Sequence, residues 1–225
     1  MDEYMLYAST AETVGIPYEW LSAKQIKDRW PLINTSDLEG AIYHPTDGYI
    51  NPADVTMAMA KGARQRGVEI ERKWQVDDYS WNGSAWDVTC TKMAEKGGNL
   101  IPSDEKKIVT AEHVVTATGN HAQRTARLLN IKIPAIPVEH QFIVTDKDLS
   151  LIDWRKNNPE HPVIRDADAQ SYVREERGGW ILGVYEKNAP ARFEYEVPDS
   201  FRADLFQLDL ERIEDQYMAM IHRIP

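Results

Sequence analysis

Three residues in the second half of the chain have the types and spacing to work on a small charged substrate. His140 alternates with Val138, Phe142 and Val144, so a strand over Val138 to Thr145 carries an imidazole on an apolar face. An imidazole changes charge near neutral pH and can take up or release a proton; the same position also suits a satisfied core histidine. Tyr172 and Arg174 share one face of a second strand and together offer a phenol and a guanidinium to a small carboxylate. For Arg174 the alternative is an ion pair with Glu175, Glu176 or Glu186. A fourth signal is Ala117-Thr118-Gly119, which ends the apolar run Val114-Val115-Thr116-Ala117. Small residues at the carboxyl end of a strand let a phosphate- or flavin-bearing ligand approach the backbone, although a plain packing turn has the same composition.

Other chemistries lack their carriers. His44, His113, His121, His140, His161 and His222 show no paired ligand spacing, and no metal site is expected. There is no Gly-x-Ser-x-Gly elbow and no Walker loop. A net charge of -10 and a pI near 5.1 argue against nucleic acid or an anionic membrane as partner. Cys90 is the lone cysteine, which excludes an internal disulfide and suits a reducing compartment. Residues 1–4 show no signal-peptide pattern, and no apolar run approaches the roughly 20 residues that span a bilayer. The expected setting is soluble: cytoplasmic in a bacterium, or the mitochondrial matrix in a eukaryote.

The elements that must position these groups are legible in turn. Ser22 and Gln25 form a capping-box pattern for a helix that ends near Trp30, because Pro31 disfavours helical geometry before it. Gly40 to His44 reads as a strand and Thr46-Asp47-Gly48 as a turn. Asn51 caps a helix with Pro52 at its first position, and Val55, Ala58, Met59, Gly62 and Ala63 form a small-residue face able to lie close against a sheet. Gly67 ends that helix, and Val68-Glu69-Ile70 is expected to begin a strand, one αβ step of a parallel sheet. A hairpin over Gln75 to Lys92 turns at Asn82-Gly83, a second turn falls at Lys96 to Asn99, and Lys107 to Val109 can add a strand. Val114 to Ala117 is β-branched and apolar, as a strand buried on both faces should be. Beyond a helix from Ala122 to Leu129, Leu149 to Pro162 reads as a polar surface loop with a short helix. Val163 to Arg165 leads to an antiparallel hairpin over Ser171 to Tyr185, turning at Gly178-Gly179. After Pro198 a long helix is expected, with Phe206, Leu210, Ile213, Tyr217, Met220, Ile221 and Ile224 in one apolar stripe that needs a partner surface.

Several stretches carry a resemblance: Arg29-Trp30-Pro31-Leu32, Asp47-Gly48-Tyr49-Ile50-Asn51-Pro52, Met57 to Arg64, Ala117-Thr118-Gly119 and Pro137-Val138-Glu139-His140-Gln141. Val163-Ile164-Arg165-Asp166, Tyr172 to Arg177 and Gly183-Val184-Tyr185-Glu186 complete the set. In this order, over nearly the whole chain, they resemble the dimethylglycine dehydrogenase and sarcosine dehydrogenase family of FAD-dependent amine oxidoreductases. The resemblance implies an α/β with α+β chain: a partial glutathione-reductase-like FAD-binding layer interleaved with an antiparallel-sheet substrate domain. It divides the sequence into substrate-domain residues 1–50, FAD-binding residues 51–131 and substrate-domain residues 132–225.

For individual residues it implies that the Val76 backbone meets the adenine ring and that Ala117, Thr118 and Gly119 line FAD. His140 and Tyr172 would orient and deprotonate the substrate amine, and hydride would pass from an N-methyl carbon to the flavin. The iminium product would be hydrolysed to formaldehyde or, in the family's longer members, handed to tetrahydrofolate. The partner implied is a small N-methyl amino acid, dimethylglycine or sarcosine, with either electron-transfer flavoprotein or oxygen left open as the electron acceptor. One departure stands out: the Gly-x-Gly-x-x-Gly phosphate loop that opens the family's first strand is missing. The chain therefore reads as an internal fragment whose isolated form binds FAD poorly, or else as a non-catalytic binding subunit.

Overall fold

A computed structural model describes residues 2–201 and 204–225. In chain order the elements are α1 (Asp2–Val14), β1 (Glu19–Ser22), α2 (Ala23–Arg29), β2 (Gly40–Tyr43) and α3 (Pro52–Gln65). They are followed by β3 (Trp74–Trp81), β4 (Trp86–Lys96), β5 (Asn99–Ala111), α4 (Ala122–Leu129) and β6 (Phe142–Val144). The last are α5 (Leu149–Arg155), β7 (Ile164–Asp166), β8 (Ser171–Glu176), β9 (Gly179–Val184) and α6 (Glu214–Arg223). They divide into two compact units, one of residues 1–50, 140–188 and 207–225, the other of residues 51–139 and 189–206. Every strand pair among the described residues is antiparallel.

In the first unit a four-stranded sheet runs in the order β6-β9-β8-β7. Alternation along β8 decides its two faces. Ser171, Val173 and Glu175 are buried, while Tyr172, Arg174 and Glu176 are partly open. The buried face joins Val173, Trp180, Leu182 and Val184 to Leu151 of α5, to Ile213 and to Met220 of α6. A smaller core forms around Leu21, Ile26 and Ile33, where the capping box of Ser22 and Gln25 starts α2 and Trp30 ends it. Arg223 ties the two regions together: its guanidinium bonds the carboxylates of Asp37 and Asp166 and the carbonyl of Asn34.

The second unit holds the three-stranded sheet β3-β4-β5, with turns at the expected Asn82-Gly83 and Gly97-Gly98. β5 is much longer than the expected strand at Lys107 to Val109, since its whole length pairs with β4. The α4 helix is bound to β3 by an ion pair from Arg124 to Asp77.

Several expectations are corrected. Val68 to Ile70 and Val114 to Ala117 form no strand: neither makes a ladder with any described segment, and Val115 is 89% exposed. The parallel αβ step is therefore not seen, and the small-residue face of α3 buries no residue. The strand expected over Val138 to Thr145 contracts to Phe142–Val144, preceded by a single bridge from Val138 to Ala191. Its phase is also inverted: Gln141 turns inward to accept from Asp209 N–H and donate to the Asp209 carbonyl, which leaves Phe142 and Val144 half exposed. That exchange takes up the Asp209 backbone groups, and helix begins only at Glu214, after a 3-10 turn over Glu211–Ile213. Upstream, Phe206 packs with Phe193 and Phe201 instead of extending the stripe; Arg202 and Ala203, within the expected helix, lie outside the described residues. The segment Leu149 to Pro162 is more than surface, because Leu151 is fully buried.

Candidate active site

The open face of the four-stranded sheet gathers the polar residues. Pairing places Phe142 opposite Gly183, Gly183 opposite Tyr172 and Tyr172 opposite Arg165, one row across all four strands. A second row contains Val144, Ile181 and Arg174. Gly183 makes the first row possible, because a side chain there would collide with the Tyr172 ring. The Tyr172 ring also packs against Tyr185, with centroids 5.5 Å apart, and the Arg165 guanidinium lies 5.1 Å from the centre of the Tyr185 ring.

Burial and the neighbouring Tyr185 push the Tyr172 phenol above its usual range, and Arg174 only partly offsets them. Tyr172 is thus a protonated hydrogen-bond donor at neutral pH, suited to orienting a ligand rather than removing its proton. Arg174 shares this face but is already engaged. It donates to Glu176 Oε2 at 2.8 Å and to the Glu175 carbonyl at 2.9 Å, and lies 4.6 Å from the centre of the Tyr49 ring. The ion pair with Glu176 is one of the alternatives open in the sequence. Tyr49 donates in turn to Glu160, and that bond raises its own pKa.

Tyr49 and Arg165 were not singled out as site residues by type or spacing. Both lie within stretches that carried the family resemblance, which was the available signal. His140 sits just before β6, exposed and outside the paired register. It makes no hydrogen bond or ion pair among the described residues.

In the other unit, the turn at Ala117, Thr118 and Gly119 is exposed, and Gly119 takes a φ of +52°. Nothing lies within 4 Å of a Cβ built on Gly119, so its backbone is open to an approaching group. The Thr118 hydroxyl points instead into a cluster with Thr116 and Thr125, at 3.3 and 3.2 Å. Thr125 belongs to α4 and also faces the Tyr79 phenol, whose pKa is raised by burial and by Cys90 and lowered by Thr125. The turn is therefore fastened to the strand that contains Val76. Val76 pairs with Cys90 beside a bulge at Asp77, on an edge strand. No group of acids, histidines or cysteines able to hold a metal ion occurs among the described residues.

A sequence model of the FAD dependent oxidoreductase family, DAO, matches residues 1–225. The chain belongs to the FAD dependent oxidoreductase family. Among family relatives, the chain is 29% identical over 211 residues to mitochondrial dimethylglycine dehydrogenase of Mus musculus, covering 91% of this chain and 22% of that protein. It is 29% identical over 232 residues to mitochondrial sarcosine dehydrogenase of Homo sapiens, covering 100% of this chain and 23% of that protein. The chain thus spans under a quarter of the length of these relatives. Its mixed α/β fold is similar to that of L-proline dehydrogenase from P. horikoshii, with a TM-score of 0.67 at 20% identity, over 100% of this chain and 53% of that one. No helix among the described residues is long and apolar enough to cross a membrane.

Proposed function

We propose that this chain is part of an FAD-dependent oxidoreductase that demethylates an N-methyl amino acid, dimethylglycine before sarcosine. The observation that carries the reading is the open sheet face, on which Tyr172 lies across Gly183 in one row with Phe142 and Arg165. Half-exposed Phe142 and Val144 on that face match the apolar part of a small methylated amine, and the phenol supplies a donor. In this reading the unit of residues 1–50, 140–188 and 207–225 is the substrate part, and the unit of residues 51–139 and 189–206 is a glutathione-reductase-like FAD-binding part, which moves 132–139 and 189–206 out of the substrate part expected from the sequence.

FAD, when bound, supplies the acceptor for a hydride from the N-methyl carbon. The residues present fit one flank of such a group. The exposed Ala117-Thr118-Gly119 turn offers open backbone, and the Val76 backbone lies on an edge strand. Thr118 contributes through its backbone, since its hydroxyl is committed to Thr125. Tyr172 orients the substrate with its O–H, while His140, exposed and unpartnered among the described residues, takes the proton from the substrate amine. The reading is tested by purifying the full-length polypeptide with FAD and measuring formaldehyde release from dimethylglycine and from sarcosine. Release from neither contradicts the reading. Electron-transfer flavoprotein against oxygen as acceptor, and tetrahydrofolate as one-carbon acceptor, are separated by supplying each in that assay.

A further inference from the structure

The open sheet face carries two arginines, and they are not equivalent. Arg174, the more obvious anchor by its place on the strand of Tyr172, has its guanidinium taken up on several sides. Glu176 neutralises it, the Glu175 carbonyl accepts a second bond, and the Tyr49 ring covers one flank while Tyr49 is itself held by Glu160. An incoming carboxylate must displace Glu176 to reach it, giving up a charge-assisted bond to form one of the same kind.

Arg165 has no such competitor. It makes no hydrogen bond or ion pair among the described residues; besides the Tyr185 ring, the Tyr4 phenol lies within its electrostatic reach. The carboxylate next to it in sequence, Asp166, is instead bound by Arg223 at 3.0 Å. The alternation of β7 turns Ile164 to the core and Arg165 to the open face, directly opposite Tyr172. The Tyr185 ring supports its guanidinium from one flank, which orders the fork without using its N–H donors. Tyr185 in turn touches Tyr172. A fork with no paired carboxylate, an aromatic support and a protonated phenol are therefore contiguous.

We propose that Arg165 is the anchor for the substrate carboxylate, and that Arg174 is a positioning residue that braces Tyr49 and Glu176. Resting on the reading of the chain as part of an N-methyl amino acid oxidoreductase, this places the carboxylate on the Arg165 fork and the methylated amine over the two tyrosine rings, where a cation is favoured. The proposal implies selection for amino acids with a free carboxylate over simple methylamines.

The test uses the full-length FAD-loaded polypeptide with Arg165→Gln, Arg165→Lys and Arg174→Gln. The readouts are KM and kcat for dimethylglycine and the inhibition constant of methoxyacetate, which keeps the carboxylate and lacks the amine. Arg165→Gln is expected to raise both KM and the inhibition constant at least about tenfold, with kcat changed less than about threefold, a loss of uniform binding. Arg165→Lys should recover part of that loss, and Arg174→Gln should leave the inhibition constant within about twofold. A rise in the inhibition constant with Arg174→Gln and none with Arg165→Gln overturns the assignment. If the wild type oxidises no N-methyl amino acid, the functional reading fails, and equilibrium dialysis of radiolabelled methoxyacetate decides the site by itself. Binding lost in Arg165→Gln upholds the anchor; binding absent from the wild type or unchanged in the variant overturns it.

Discussion

Tyr172 lies across Gly183 on the neighbouring strand, in space that any side chain at that position would occupy. The glycine therefore serves the tyrosine rather than a turn. Gly183→Ala should force the phenol out of its row and strain the sheet by about 1–3 kcal/mol, the usual cost of overpacking. A denaturant titration reads the stability change, and, if the sheet face binds substrate as proposed, kcat/KM of the full-length polypeptide for dimethylglycine should fall at least about tenfold. A variant with wild-type stability and wild-type kcat/KM shows that the Tyr172 position is not set by Gly183.

Arg223 closes the C-terminal helix onto Asp37 and Asp166 while only 6% exposed. Its hydrogen bond holds the Asp37 carboxyl below its ordinary value, even though the group is near the surface. A depressed carboxylate contributes its stability in full above its unfolded pKa of about 4 and loses it as pH falls through the lower folded value. Arg223→Met should cost about 2 kcal/mol at pH 7, below the usual loss for a broken buried pair because Asp37 is half exposed. It should also flatten the decline in stability on acidification below about pH 4. Urea midpoints at neutral and acid pH check both effects, and equal pH slopes in the two proteins refute the clamp as their source.

Gly119 needs its positive φ more than it needs space. Gly119→Ala should cost about 1 kcal/mol through backbone strain alone. If the turn flanks FAD as proposed, the full-length variant should also lose flavin on dialysis faster than the wild type. A stability loss with unchanged flavin retention assigns the turn to packing only. Flavin absorbance of the isolated 225-residue chain should show well under one FAD per chain, since the sequence contains no Gly-rich phosphate loop.

Local signals were legible where short-range chemistry decides the structure. The Ser22–Gln25 capping box, the Asn51 cap with Pro52, the Asn82-Gly83 hairpin and the Ser171 to Tyr185 hairpin all follow from residues that bond to near neighbours. Misreadings arose where a partner distant in sequence decides. Val114 to Ala117 has strand chemistry but pairs with no strand among the described residues, and Val138 to Val144 takes the opposite phase because Gln141 is claimed by Asp209. The stripe after Pro198 broke for a related reason, as Phe206 found Phe201 and Phe193. At the site, the shared face of Tyr172 and Arg174 was readable from period-two spacing alone. That Arg174 is occupied and Arg165 free was not, because spacing says nothing about which carboxylate each guanidinium meets.

The central claim, that the sheet face bearing Tyr172 meets the methylated amine, is tested most directly by anaerobic stopped-flow bleaching of the flavin in the full-length FAD-loaded polypeptide mixed with dimethylglycine. The wild type should bleach in a single turnover, and Tyr172→Phe should slow that phase at least about tenfold without changing flavin content, as removal of a positioned hydrogen-bond donor does. Absence of bleaching in the wild type, or an equal rate in Tyr172→Phe, would contradict it.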